Sequence, residues 1–177
     1  MKIKSLVVPL LALSALILGG CASDQSDLAA NKSAAATHPE SLAIKVTGGS
    51  DGTADTTSEV QNSYFSTHLT KSLQHARLFA KILPAGSADA TFRLEVTITP
   101  LEPPSIGEEM TATVETSWTL TRISNGYAVW QKKISASHTT GAKEAFTGVE
   151  RVHLAIEGAV DANIKDGVDQ LGSASLL

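Results

Sequence analysis

Between residues 41 and 171 the apolar positions switch between two periods, and the switches mark the elements. In "LAIKVTG", Leu42, Ile44 and Val46 alternate with Ala43, Lys45 and Thr47, the period of a half-buried strand. After the turn-forming "GGSDGTADTTSE", Phe65, Leu69, Ser72, Leu73 and Ala76 fall on one helical face. Thr56 and Glu59 form a T-x-x-E capping box, which predicts a helix start near Thr56 because it satisfies free backbone donors there. Phe79 to Leu83 reads as a second strand, stopped by Pro84. Strand, helix and strand in immediate succession predict a right-handed crossover.

Two further strands are sharper. In "FRLEVTITP", Phe92, Leu94, Val96 and Ile98 alternate with Arg93, Glu95, Thr97 and Thr99, and Pro100, Pro103 and Pro104 then impose a loop. In "TATVETSWTLT", Ala112, Val114, Thr116, Trp118 and Leu120 share one face, and Thr111, Thr113, Glu115, Ser117 and Thr119 share the other. One apolar and one polar face predict an antiparallel sheet covered on one side.

Asn125-Gly126 marks a hairpin, and the phase of the pattern selects its register. A two-residue loop pairs Leu120 with Gln131 and Trp118 with Lys133, which breaks the apolar face. A three-residue loop, Ser124 to Gly126, pairs Ile123 with Tyr127, Leu120 with Trp130, Thr116 with Ile134 and Val114 with Ala136. That register keeps the face intact and puts Gly126 in the left-handed position of a type I turn plus bulge. Lys132 is the exception, opposite Trp118, where its stem could stack on the indole.

The last element, "GVERVHLAIEGAVDANIKDGVDQL", places Val149, Val152, Ile156, Val160, Ile164, Val168 and Leu171 every three or four residues. This predicts an amphipathic helix of about 22 residues. Gly158 and Gly167 each cost about 1 kcal/mol against Ala in a helix. Ala155, Gly158, Ala159 and Ala162 make part of its surface thin, which predicts close packing on the helix's own sheet. Asn163, beside the apolar stripe, is expected to bond a sheet edge or to stay half exposed. The element order predicts an α+β fold: a two-layer sandwich with one mixed, largely antiparallel sheet of four to five strands and two helices on one face.

The N-terminal region has a different character. Lys2 and Lys4 precede the apolar run Leu6 to Leu18, "LVVPLLALSALIL", about the length of a secretory h-region and short for a membrane span. The chain's single cysteine, Cys21, follows Gly19 and Gly20. Leu18-Gly19-Gly20-Cys21 resembles the lipobox of bacterial lipoproteins. The resemblance implies cleavage between Gly20 and Cys21, a diacylglycerol on the Cys21 thiol and an acyl chain on its new amine. A lone exported thiol needs some such explanation, and each buried methylene adds about 0.8 kcal/mol of anchoring. Ala22, rather than an acidic residue, after the cysteine resembles the outer-membrane-sorted class, facing the periplasm. The expected organisation is a signal peptide over 1–20, a lipidated N-terminus and flexible tether over 21–40, one α+β domain over 41–172 and a short tail over 173–177. A coil of about 19 residues spans roughly 25 Å.

Charge narrows the partners. Without Lys2 and Lys4, 12 basic side chains remain against 18 acidic ones. That balance argues against nonspecific nucleic-acid binding, which needs positive charge to displace counterions. The order of elements and the textures of "SWTLTRISNGYAVWQKKISAS" and "AIEGAVDANIKDGV" are similar to the lipopolysaccharide-assembly lipoproteins and to TolB-N-terminal-like periplasmic accessory domains. This resemblance implies a non-catalytic accessory or assembly role.

Catalytic chemistry is not evident. No G-x-S-x-G and no H-E-x-x-H occurs, and the glycine-rich stretch lacks G-x-G-x-x-G. His68 and His75 share a helix margin, but no Cys, Asp or Glu completes a compact ligand set nearby; no metal or cofactor is expected beyond the lipid. Glu108-Glu109 is an adjacent acidic pair placed in a loop, and His138 and His153 have no assigned relation. The expected function is an outer-membrane-anchored, non-enzymatic lipoprotein that docks on an envelope protein complex or glycolipid. Its expected binding surface is Thr97, Thr113, Glu115 and Thr119 on the polar sheet face, with Glu108 and Glu109 in the Pro100–Glu109 loop. The alternative is a module for a small amphiphile in a helix–sheet pocket lined by Trp118, Phe92 and Ile156.

Overall fold

A computed structural model describes residues 37–51, 59–101 and 107–176. Cys21, Gly20 and the capping-box Thr56 lie outside the described residues. Among those described, the elements run β1 (His38–Thr47), α1 (Asn62–Ala76), β2 (Phe79–Leu83), β3 (Phe92–Ile98), β4 (Glu109–Arg122), β5 (Ala128–Gly141) and α2 (Gly148–Gly172). The strands form one sheet in the order β2-β1-β3-β4-β5. β1 is parallel to both β2 and β3, while β3–β4 and β4–β5 are antiparallel and carry the longer ladders. The expected α+β layout, with a mixed sheet and its helices on one side, is the one observed.

Alternation decides the faces. Leu42, Ile44, Phe92, Leu94, Val96, Ile98, Ala112, Val114, Trp118 and Leu120 are buried on one side of the sheet. Phe65, Leu69 and Leu73 of α1 and the stripe Ala155, Ile156, Ala159, Val160, Ile164, Val168 and Leu171 of α2 join them in one core. α1 lies over β1 and β2, α2 lies over β4 and β5, and the helices touch each other.

The boundaries differ from expectation at several places. β1 begins at His38, three residues inside the segment read as tether, where His38 N–H bonds the Leu78 carbonyl. α1 begins at Asn62 rather than Thr56. Residues 59–61 are held extended instead, because Ser50 bonds the Val60 carbonyl and Gln61 bridges Ser50, which buries Val60. The capping motif that operates is Thr147-x-x-Glu150 at the start of α2, where Thr147 Oγ1 accepts the Glu150 N–H at 3.2 Å. The segment read as tail is packed: Leu176 is buried, and its carbonyl accepts from Arg122 Nη2 at 3.0 Å.

The hairpin keeps the expected register through its body, with Leu120 against Trp130, Thr116 against Ile134 and Trp118 against an exposed Lys132. The loop is one residue longer than expected. Arg122 N–H bonds the Tyr127 carbonyl, and Ile123 N–H bonds the carbonyl of Thr91, just before β3, instead of facing Tyr127. A bulge between Leu120 and Thr121 absorbs the difference. Gly126 has the expected positive φ, 72°. Val149, placed on the apolar face by its spacing, is 61% exposed because α2 meets the sheet only further along.

Candidate functional site

The helices leave the opposite sheet face uncovered. It carries Lys45 and Thr47 of β1, Arg93, Glu95 and Thr97 of β3, the odd-numbered residues of β4, and Lys133, Ser135, Ser137 and Thr139 of β5. All of these are exposed or half-buried, whereas the small Ala43, in register between Leu83 and Arg93, is buried.

Register builds the face into rows. Thr47, Thr97, Ser117 and Lys133 form one, and Lys45, Glu95, Thr119 and Gln131 form the next. Beyond them Glu115 faces Ser135, Thr113 faces Ser137 and Thr111 faces Thr139. Hydroxyls bond across strands: Thr111 to Thr139 at 2.7 Å, Thr113 to Ser137 at 2.8 Å and Thr47 to Thr97 at 3.5 Å. Such pairs stiffen the face and present aligned donors and acceptors without an aromatic side chain.

The structure therefore brings Thr97, Thr113, Glu115 and Thr119 together on one surface. Glu109, expected in a loop, is instead the first residue of β4, paired with Gly141 at the end of the same face. Glu108 is exposed just outside the strand, and 102–106 of that loop lie outside the described residues. The hydroxyls of β5 were missing from the expected surface, although the hairpin register already implied them.

The pocket required by the amphiphile alternative is filled. Trp118, Phe92 and Ile156 are buried in the core, and a methyl added at Gly167 would lie 2.4 Å from the Trp118 ring. Phe65 and Trp130 meet Trp118 edge-on at 6.5 and 6.4 Å. Asn163, expected at an edge or half exposed, is fully buried. Its Nδ2 donates to the carbonyls of Val114 (2.9 Å) and Ile134 (3.1 Å). Its Oδ1 accepts from Thr116 Oγ1 at 2.8 Å, and Thr116 in turn accepts from Trp118 Nε1 at 2.7 Å. The polar chain is satisfied at every step, as a buried polar group requires.

A second concavity lies between α1 and the β1–β2 edge, about 540 Å³ in volume. Ile44, Val46, Ile82 and Leu83 form its apolar side, and Asn62, Ser63, Ser66 and Thr70 its polar side.

The histidines do not converge. His68 Nδ1 lies 2.9 Å from Asp161 and its ring stacks on Tyr64, while His75 is exposed. His153 bonds Glu157 at 3.1 Å, and His138 lies over Gly158. Among the described residues no three His, Cys, Asp or Glu side chains form a metal-binding group. Burial, with the charges of Glu157 and Asp161 adding to it, pushes the Tyr64 phenol up to about 12.

The sequence matches no family profile and no curated protein. Solved structures share the fold. XCC0632 from Xanthomonas campestris, of family DUF330, is 12% identical over 80% of this chain and 88% of that one, with a TM-score of 0.57. A minor lipoprotein from Acinetobacter baumannii is 14% identical over 76% and 93%, TM-score 0.51. CT253 from Chlamydia trachomatis is 10% identical over 77% and 97%, TM-score 0.53. The chain thus has a fold that bacterial lipoproteins use. At these identities the likeness is one of architecture, and architecture alone does not assign an activity.

Proposed function

We propose that this protein is an outer-membrane lipoprotein, facing the periplasm, that acts without catalysis as an accessory or assembly factor. In this reading Cys21 carries the diacylglycerol and N-acyl chains after cleavage behind Gly20, and no other cofactor takes part. The domain docks its open sheet face on an envelope protein complex or glycolipid, through Thr97, Thr113, Glu115 and Thr119, with Glu108 and Glu109 at the rim. The observation that carries it is the one-sided sheet. Both helices cover one face and leave a rigid, hydroxyl-lined surface on the other. A small-amphiphile module is the second reading. It is favoured only by the groove between α1 and β2, whose volume falls within the range of ligand pockets, about 300–1,000 Å³.

Affinity capture from solubilised envelopes tests the docking. Wild type, Cys21→Ala and Thr113→Arg are compared as bait, and bound protein and glycolipid are both analysed. Wild type and Cys21→Ala should retain the same envelope partner, and Thr113→Arg should lose it. Recovery of no envelope partner by any bait would end the accessory reading. Fractionation of Cys21→Ala tests the anchor, since firm membrane association without the cysteine contradicts lipidation.

A further inference from the structure

The sheet ends in two unlike edges. β2 has 5 residues and stops before Pro84, and short, proline-ended edges resist further pairing. β5 has 14 residues. The bond from the Thr99 N–H to the Glu115 carbonyl turns the odd-numbered residues of β4 toward β3. Its even-numbered residues therefore bond β5, in pairs such as Thr116 with Ile134. Alternation then directs the N–H and C=O groups of Gln131, Lys133, Ser135, Ser137 and Thr139 outward. Among the described residues no backbone group bonds them. From Ile134 to Thr140 this edge has no lysine, carboxylate, proline or bulge, the devices that normally blunt an edge.

We propose that this edge pairs antiparallel with β5 of a second copy, about a two-fold axis through Ser135, so that two five-stranded sheets become one. Overlap and charge set the register. Centring on Ser135 uses nearly the whole strand, from Trp130 opposite the second copy's Thr140. Lys133 then faces the small Ser137 and Lys132 faces His138, so no two lysines meet; centring on Lys133 would set them against each other. Ile134 lies beside Ala136 on the helix-covered side. On the open side each Lys133 lies across from the other copy's Ser137, and that copy's Glu115, in register with Ser135, is one diagonal step further, as it is from Lys133 of its own chain across a single strand. Neither Lys133 nor Glu115 has an ion-pair partner among the described residues. A patch that is its own complement is what a two-fold interface requires. The pairing doubles the hydroxyl-lined face and leaves it open.

Cross-linking and sedimentation of the full chain in detergent test the pairing. In a Cys21→Ala background, Ser135→Cys places two thiols at a directly opposed pair, with Cα atoms about 5.5 Å apart, within disulfide reach. Lys133→Cys places them four residues out of register, roughly 14 Å apart. Mild oxidation should cross-link Ser135→Cys at least tenfold more than Lys133→Cys. Wild type should sediment as a concentration-dependent dimer. Lys133→Glu should weaken that dimer by tenfold or more, and adding Glu115→Lys to it should restore the association. Ser135→Pro, which removes an N–H unused within the monomer, should give a folded monomer by circular dichroism. A wild-type monomer at about 100 μM overturns the proposal, as do equal cross-linking at both positions or a dimer insensitive to Lys133→Glu and Ser135→Pro. A wild-type monomer whose β5 amides become protected only when an extended peptide is added also overturns it, and assigns the edge to another chain.

Discussion

Gly158 and Gly167 both interrupt α2, and helix propensity alone predicts that Ala at either would stabilise by about 1 kcal/mol. The structure predicts opposite signs. At Gly158 a methyl would lie 2.3 Å from Cδ2 of His138, but that ring belongs to an exposed side chain that can swing into solvent. Gly158→Ala should therefore keep most of the propensity gain. At Gly167 the methyl would lie 2.4, 2.6 and 2.8 Å from three atoms of Trp118, against about 3.5–4.0 Å for ordinary contact. Trp118 cannot yield. It is buried, hydrogen-bonded to Thr116, flanked by Phe65 and Trp130, and fixed on an interior strand. The helix must shift instead, and Asn163, one turn away, would stretch its bonds to Val114 and Ile134. Overpacking costs about 1–3 kcal/mol, and each weakened bond adds up to about 1 kcal/mol. After the propensity gain, Gly167→Ala should lose about 2 kcal/mol. The two variants should then differ by about 3 kcal/mol, or roughly 10 °C in Tm for a domain of this size. Thermal and urea unfolding followed by tryptophan fluorescence measures this. A Gly167→Ala protein at least as stable as wild type, with unchanged near-ultraviolet dichroism, would refute the packing argument.

Other outcomes follow from the same contacts. Asn163→Ala removes three buried hydrogen bonds and strands their partners, so it should cost about 3–4 kcal/mol, read as a lower urea midpoint at constant slope; a loss under about 1 kcal/mol would contradict it. Thr147→Ala removes the α2 cap and should cost about 1 kcal/mol in the same assay; an unchanged midpoint would show that the cap is idle. Tyr64, raised to about 12 in the folded chain, ionises near 10 when unfolded. Its contribution to stability is therefore intact below about pH 10 and is lost as pH rises through 12. Phenolate absorbance should show a late phase that Tyr64→Phe abolishes and Glu157→Gln brings earlier; a late phase indifferent to both would refute the assignment.

The elements that were legible had strong periods. Phe92, Leu94, Val96 and Ile98 alternate without exception, so β3 was legible to within one residue of its end. The β4–β5 register was legible because a one-residue slip would have turned Trp118 and Leu120 outward. The start of α1 was not. Thr56 and Glu59 have the right local chemistry for a cap, but the bridge from Ser50 to Gln61 holds residues 59–61 extended. The bond from Ile123 to Thr91 likewise reaches a segment far away in sequence, just ahead of β3, and it set the hairpin loop one residue longer. The cap at Thr147 is weakly marked in the pattern, because it precedes a segment whose first apolar residue, Val149, stays exposed.

For the site, the sequence by itself determined composition and phase: which side chains share a face, that one face is apolar and the other hydroxyl-rich, and that a single cysteine follows a lipobox-like run. These are local properties, set by strand and helix periods. Only the tertiary structure decided that both helices lie on the same side, that Trp118 fills the space a ligand would need, that Asn163 is buried and satisfied, and that β5 ends the sheet with its outer groups unbonded among the described residues. Each of these depends on which distant segment arrives next to which, and local periodicity carries no information about that.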